Sequence, residues 1–157
     1  IGWLEAPEFI IEAMESVQSC TILSPDKLHQ MAFGKFITTS IEDGSLDVYL
    51  EKIRKLYKNT AEKTAKIIQK HLNFPIIQPE GGLYIFMKIN TDSVEFVETV
   101  LTKTGVLFIP GWGFGITGRN AVRVSFGPLV EEIDKIEQGI IKTAKYLNET
   151  KPFLKIS

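Results

Sequence analysis

Arg123 lies between two valines in the segment AVRVSF, residues 121–126. In a β-strand, the period of two would place both valines and Phe126 on one face, and Arg123 between small residues on the other. A guanidinium is a planar fork of donors that suits a carboxylate or phosphate bound through two parallel hydrogen bonds. The pattern alone leaves three interpretations open: a ligand-binding arginine in a cleft, an ordinary exposed strand arginine, or one paired with a local glutamate.

A glycine-rich segment, FIPGWGFGITGRN, precedes this arginine and has glycine at positions 111, 113, 115 and 118. Clustered glycines indicate tight turns or a close backbone approach. The segment either leaves room for a ligand beside Arg123 or is a turn between two strands. Trp112 and Phe114 either line a pocket or fill a domain interface, and Arg119 is predicted to be a solvated turn residue.

Other reactive side chains are sparse. His29 and His71 have no cysteine or carboxylate at metal-site spacing, so no metal is predicted. Cys20 is the single cysteine, which excludes an intrachain disulfide and fits a reducing, cytoplasmic location. The net charge of −1, with both signs interspersed, predicts no nucleic-acid partner. No apolar run reaches the roughly 18 residues of a membrane helix, so no membrane association is predicted.

Helix and strand patterns alternate along the chain. The first helix is predicted to begin at Pro7, and the second to have Ser24 as its cap and Pro25 at its first position. The predicted strands and later helices are a strand after the Gly81-Gly82 turn, a helix from Asp92 to Gly105 with capping-box spacing to Glu95, strands at 106–109 and 121–126, and a helix from about Pro128 to Leu147.

The longest periodic segment runs from Leu46 to Leu72, after the polar break SIEDGS at residues 40–45. A helical pattern of more than about 25 residues is unusual for an ordinary packed helix. We therefore predict a helix that spans two structural units. The alternative is one long surface helix on a domain of its own.

Four segments together resemble the C-terminal portion of the class I/II, fold type I, pyridoxal-phosphate-dependent aminotransferases, in the aspartate-aminotransferase-like subgroup. They are IGWLEAP, which resembles a strand of that family, AMESVQSCTILSPDKLHQMA, PEGGLYIF and IPGWGFGITGRNAVRVSF. Their order and spacing follow the family along nearly the whole chain. The resemblance implies an α/β fold with an α+β small domain, in which a long connecting helix leads to a small domain of sheet with packed helices.

This resemblance also implies a domain organisation and a function. Residues 1–40 would be the tail of the large cofactor-binding domain, residues 41–75 a linker and the long interdomain helix, and residues 76–157 the C-terminal small domain. Arg123 would be the arginine that holds the α-carboxylate of the substrate. The parent protein would be a homodimer that uses pyridoxal 5'-phosphate to transfer an amino group between an amino acid and a 2-oxo acid.

The family's cofactor-binding residues are expected outside this sequence. Its covalent lysine and phosphate-binding arginine would lie shortly before Ile1, and the aspartate that pairs with the pyridine nitrogen further upstream. Lys27, Lys35 and Lys88 do not stand in the required context. The sequence therefore predicts a piece of a longer chain that has no catalytic or cofactor-binding residue of its own and is inactive alone.

Other functions on the same scaffold stay open at this point. Carbon–sulfur lyases and aminocyclopropane-carboxylate synthases share the scaffold and the arginine. The aminotransferase-like sensor domain of some transcription regulators is a non-enzymatic alternative. A stand-alone binding module is disfavoured, because residues 1–40 have no evident sheet on which to pack.

Overall fold

The computed structural model describes residues 2–150 and contains helices joined to one small sheet. The elements in chain order are α1 (Glu8–Thr21), α2 (Lys27–Glu42), α3 (Ser45–His71), β1 (Tyr84–Lys88), α4 (Ser93–Thr104), β2 (Ile109–Pro110), β3 (Ala121–Ser125) and α5 (Ile133–Thr150). The predicted α+β content, with one long helix before the sheet, is confirmed.

The chain divides into two compact units, Ile1–Glu51 and Lys52–Ser157, and the division falls within α3. The sequence placed its segment limits at 40/41 and 75/76, and that assignment to domains stays a prediction. In the first unit the apolar faces of α1 and α2 are exposed, as shown by Phe9 and Leu28. Among the described residues of these two helices, only Ser40 is buried.

The start of α2 differs from the sequence prediction. The N-cap is Asp26, whose Oδ1 accepts hydrogen bonds from the backbone N–H groups of Leu28 at 2.8 Å and His29 at 3.2 Å. The predictions of Ser24 as the cap and of Pro25 as the first helical residue were therefore each wrong by two residues, since the helix begins at Lys27. A carboxylate is as good a cap as a hydroxyl and adds negative charge at the positive end of the helix, which favours Asp26.

Two strand predictions also need correction. The strand expected at 106–109 is only Ile109–Pro110, because the Thr104 hydroxyl accepts a hydrogen bond from the Val106 N–H and turns the chain as it leaves α4. The segment IGWLEAP forms no strand over residues 2–7, since the first unit has no sheet to pair with, and Ile1 lies outside the described residues.

The sheet has three antiparallel strands in the order β1-β3-β2, so β3 is the central strand. Its alternation is the one predicted: Val122, Val124 and Phe126 are buried on one face, and Arg123 points to the other. The buried face packs on apolar side chains from the second half of α3 and from α4 and α5. Representative members of this core are Ala65, Ile68, Phe96, Val100, Ile136, Ile140 and Leu147.

The helix ends of this unit follow local rules. Asp92 caps α4 by accepting from the Val94 and Glu95 N–H groups, and Gly105 ends it with a left-handed φ of 72°. Both were predicted. The last helix begins at Ile133 rather than near Pro128, because residues Gly127–Leu129 form a 3-10 turn first.

Within residues 2–150, no helix is both long enough and apolar enough to cross a bilayer. The same residues contain no cluster of three or more histidine, cysteine or acidic side chains that could hold a metal ion.

Two buried threonines on α3 differ in their hydrogen bonding. The Thr60 hydroxyl lies 2.9 Å from the Val130 carbonyl and 3.0 Å from the Leu56 carbonyl. The Thr64 hydroxyl is fully buried and has no hydrogen-bond partner among the described residues. A buried hydroxyl without a partner lowers the free energy of unfolding by about 1–3 kcal/mol. The Thr60 hydroxyl has a partner and links α3 to the segment before α5.

These threonines give a matched test of stability. Thr64→Val should leave the free energy of unfolding unchanged or raise it, because valine has the same shape and nearly the same helix propensity. Thr60→Val should lower it by about 1–3 kcal/mol, because the Val130 carbonyl loses its donor. Urea unfolding followed by circular dichroism measures both. Equal losses for the two variants would contradict this assignment.

A second link joins α3 to α5. Glu137 Oε1 lies 3.1 Å from His71 Nε2 and 3.3 Å from Lys70 Nζ. The hydrogen bond from His71, and then that from Lys70, hold the pKa of the Glu137 carboxyl below its usual range. A depressed carboxyl pKa means that the ionised side chain stabilises the fold above the unfolded pKa, and that this contribution is lost as the pH falls through the folded pKa.

Glu137→Gln should therefore lower the melting temperature at pH 6, and the difference from wild type should close as the pH falls through the acid range below 4.5. Thermal unfolding between pH 6 and pH 3 measures this difference. Glu98→Gln removes the same charge from an exposed α4 side chain that has no hydrogen bond or ion pair within residues 2–150. If the two variants follow the same pH course, the link has no specific role.

Candidate functional site

Arg123 lies at the middle of the sheet, on the face opposite the core. In the antiparallel register it is opposite Phe86 of β1 and opposite Ile109 of β2. Its side chain is half-buried, and its Nε atom is fully buried. The strand pattern thus places the guanidinium over the sheet rather than at its edge, as the period of two predicted.

Aromatic rings surround this guanidinium. Its carbon Cζ lies 4.9 Å from the ring centroid of Tyr84 and 5.0 Å from that of Phe114. Phe86 meets both rings edge to face, at centroid distances of 6.3 Å to Tyr84 and 5.4 Å to Phe114. Arginine stacks well on aromatic rings because its delocalised charge is weakly hydrated.

The polar contacts of Arg123 within the chain are incomplete. Its buried Nε has no hydrogen-bond partner, and no carboxylate within residues 2–150 forms an ion pair with it. A strand arginine paired with a local glutamate was one alternative interpretation, and the described residues contain no such pair. An ordinary exposed arginine was the other, and Arg123 is half-buried. Since no carboxylate of the described residues neutralises it, the accessible end of the half-buried guanidinium is suited to bind an acceptor from outside the chain.

A cleft of about 470 Å³ opens on the same face of the sheet. Phe86 and Phe114 form the wall that it shares with the surroundings of Arg123. Its other lining residues are Ile77, Lys88, Thr117, Gly118, Asn120 and Ala121. A cleft that is mainly apolar, with a few polar groups, is the usual form of a small-molecule site.

The glycine-rich loop between β2 and β3 is pinched at its base. A Cβ atom on Gly118 would collide with the backbone carbonyl of Gly111, and one on Gly111 would lie 2.5 Å from the Ala121 carbonyl oxygen. Gly115 has a φ of 118°, which only glycine adopts readily. Gly111, Gly115 and Gly118 are therefore required by the turn itself, while Gly113 has open space around it.

Arg119, expected to be a solvated turn residue, has a structural partner. Its Nε lies 3.2 Å from Asp92 Oδ2, and its guanidinium carbon is 5.6 Å from the centre of the Trp112 ring. The Val94 N–H, then the Glu95 N–H and Arg119, hold the pKa of the Asp92 carboxyl below its usual range. Arg119 thus ties the loop to the start of α4, and Trp112 packs on it.

The other candidate groups do not join Arg123. Every lysine within residues 2–150 is exposed, including Lys27, Lys35 and Lys88. Cys20 is exposed, and His29 pairs with Asp26 in the first unit at 2.6 Å.

The aromatic surroundings of Arg123 were not predicted. Tyr84 and Phe86 alternate with buried residues in β1, so the strand pattern placed them on one face. Only the register between β1 and β3 brings that face to Arg123. The family resemblance predicts a role for Arg123, but it does not predict which side chains surround it.

Comparison with known proteins gives consistent results. The chain is 30% identical to aromatic-amino-acid aminotransferase 2 of Thermococcus litoralis, and the match covers 96% of this chain and 38% of that protein. It is 31% identical to the aspartate aminotransferase of Pyrococcus abyssi, with the same two coverages. No protein-family model matches the sequence.

Solved structures agree. The aromatic aminotransferase of Pyrococcus horikoshii superposes with a TM-score of 0.79 at 28% identity, over 93% of this chain and 38% of that one. The chain is a relative of the C-terminal part of the aminotransferases. The resemblance found from its four segments, and the fold class that it implied, are confirmed. The chain spans about 38% of the length of the curated relatives that it matches.

A more distant structure shares the fold. The α-aminoadipate aminotransferase of Thermus thermophilus, solved with N-(5'-phosphopyridoxyl)-L-leucine, has a TM-score of 0.72 at 19% identity over 93% of this chain and 37% of that one.

The close approach of Gly111 and Gly118 in the loop of this chain predicts that the effect of an added methyl group on stability depends on its position. Gly118→Ala should lower the free energy of unfolding by about 1–3 kcal/mol or more, because the added methyl group collides with a backbone carbonyl that cannot move aside. Gly113→Ala, in the same loop, should have little effect, since nothing lies within 4 Å of the added atom. Denaturant unfolding measures both variants. A Gly113→Ala loss as large as that of Gly118→Ala would refute the pinch.

Proposed function

We propose that the protein containing this chain is a pyridoxal-phosphate-dependent aminotransferase, and that Arg123 binds the α-carboxylate of its amino acid and 2-oxo acid substrates. The single observation that carries this proposal is a guanidinium at the centre of the sheet, with its Nε buried and without a partner. The similarity to aminotransferases supports the reaction class.

The surroundings of Arg123 suit a carboxylate in particular. A bidentate carboxylate would satisfy two donors of the fork and offset the positive charge. The rings of Tyr84 and Phe114 lower the local polarity, so a charge-assisted hydrogen bond is stronger there than in water. Binding one end of the substrate in a fixed orientation supplies several kcal/mol toward a barrier, because the reacting groups are already aligned.

When bound, pyridoxal phosphate serves as the electron sink for the reaction at the substrate Cα. The described residues fit the substrate end of such a site and not the covalent lysine. Each lysine within residues 2–150 is exposed, whereas a nucleophilic lysine is activated by desolvation or by a neighbouring cation. We propose that the covalent lysine lies in the remainder of the protein, since this chain spans about 38% of the length of its curated relatives. The cofactor adduct in the Thermus thermophilus relative supports the choice of cofactor.

Three further features belong to the same proposal. Residues 1–40 would complete the large domain, residues 41–75 would connect it to the small domain, and residues 76–157 would form that small domain. The exposed apolar faces of α1 and α2 support this assignment for residues 1–40, because such faces are normally covered by another part of the protein or by a partner. The parent would be a homodimer, and the exposed, unpaired Cys20 supports a reducing, cytoplasmic location.

Replacement of Arg123 tests the proposal. Arg123→Lys keeps the positive charge but loses the bidentate fork. The kcat/KM of the full-length enzyme should therefore fall by a factor that corresponds to a loss of about 2–5 kcal/mol of transition-state stabilisation. Steady-state kinetics with an amino acid and a 2-oxo acid measure the loss, and the cofactor absorbance should survive. Arg119→Lys is the matched control, because that arginine pairs with Asp92 instead. An unchanged kcat/KM for Arg123→Lys would reject the assignment.

A further inference from the structure

We propose that Phe114, together with Tyr84, is a positioning residue that holds the guanidinium of Arg123 in the orientation that receives the substrate carboxylate. The proposal rests on the proposed function of Arg123. It goes beyond it by giving the tip of the glycine-rich loop a role in substrate binding.

Two aromatic rings contact the guanidinium of Arg123. Tyr84 and Phe114 lie at nearly equal distances from its Cζ, 4.9 Å and 5.0 Å, and Phe86 is opposite it in the strand register. Aromatic rings attract a cation but offer no acceptor in the plane of the fork. They therefore restrict the long side chain while its N–H groups stay available to a ligand.

Restriction matters because arginine loses much rotamer freedom when it is immobilised. Fixing a flexible side chain at the moment of binding weakens the affinity, unless the side chain is already fixed in the free protein. Contacts that orient Arg123 beforehand remove this cost from substrate binding. The buried Nε shows that the side chain is packed near its Cδ end.

Phe114 is the one of these rings that the glycine-rich loop supplies. It ends the 3-10 turn Gly111–Phe114, immediately before Gly115 with its φ of 118°. Its ring packs edge to face on Phe86 at 5.4 Å, which fixes it against the sheet. The conformation of the loop is thereby transmitted to the guanidinium through one ring.

The side chain of Phe114 is 52% exposed, and that of Trp112, two residues earlier, is 51% exposed. Trp112 packs on Arg119 and not on Arg123. The loop thus provides a matched pair: two aromatic residues of similar exposure, only one of which contacts the proposed substrate-binding arginine. Neither is a core residue, so leucine at either position leaves the buried core intact.

The test uses the full-length enzyme with its cofactor and the variants Phe114→Leu, Phe114→Tyr, Trp112→Leu, Arg123→Lys and the double variant Phe114→Leu/Arg123→Lys. The first readout is the dissociation constant of 3-phenylpropionate, an unreactive monocarboxylate, by calorimetry. The second is the separation of KM from kcat in steady-state kinetics. Circular dichroism and thermal unfolding verify that each variant is folded.

Phe114→Leu should raise the dissociation constant and KM roughly 3- to 30-fold, the range expected for loss of a partly desolvated cation–π contact, with a smaller change in kcat. Phe114→Tyr should restore binding, because the ring is kept. Trp112→Leu should leave both constants within about twofold of wild type. In the Arg123→Lys background, Phe114→Leu should add little, since its effect passes through the guanidinium fork.

Two outcomes overturn different claims. If Phe114→Leu costs the same factor in the wild-type and Arg123→Lys backgrounds, or if Trp112→Leu matches it, Phe114 does not act through Arg123 and the inference fails. If Arg123→Lys itself leaves the dissociation constant and kcat/KM unchanged, the proposed function of Arg123 fails first.

Discussion

The two faces of strand β3 have opposite needs: its apolar face must be buried, and its other face carries a guanidinium at the centre. The arrangement of the second unit follows from this difference. Because β3 is the middle strand, β1 and β2 can satisfy its backbone hydrogen bonds on both sides. The helices then need to cover one face only, and α3, α4 and α5 contribute to that core. The other face stays accessible around Arg123.

The unpaired state of Arg123 has an energetic meaning. A half-buried cation whose Nε lacks an acceptor is less stable than the same group in water, by about 1–3 kcal/mol for the missing hydrogen bond. Aromatic contacts at 4.9 Å and 5.0 Å offset part of this cost. If Arg123 binds a carboxylate as proposed, the neutralised charge offsets part of the cost that remains. Arg119 is already paired with Asp92.

Features that depend on local chemistry were predictable from the sequence. The capping of α4 by Asp92, its end at Gly105 and the alternation along β3 all follow from neighbouring residues. The errors arose where two local signals compete. Asp26 and Ser24 could both cap the same helix, and the hydrogen bond from the Val106 N–H to the Thr104 hydroxyl turns a segment whose residues otherwise favour a strand.

The site shows a different division. The family resemblance, added to the strand pattern, predicts a binding role for Arg123, whereas Tyr84 and Phe86 belong to a strand far away in sequence. Their approach depends on the antiparallel register, which periodicity alone does not determine. Phe114 was considered as a pocket or interface residue, but its contact with the guanidinium depends on the shape of the loop.

The close approach of Gly111 and Gly118 separates the loop into a neck, formed by these two residues, and a tip, residues 112–117. Since the neck holds the two ends together, the entropy of closing the loop depends only weakly on how many residues the tip contains. Within the tip, Gly115 is still required for its φ of 118°, and Phe114 contacts the guanidinium. Gly113, which has open space around it, and Ile116, which is exposed, are therefore the positions at which evolution, or a protein engineer, can vary the loop while the framework that supports the arginine remains constant.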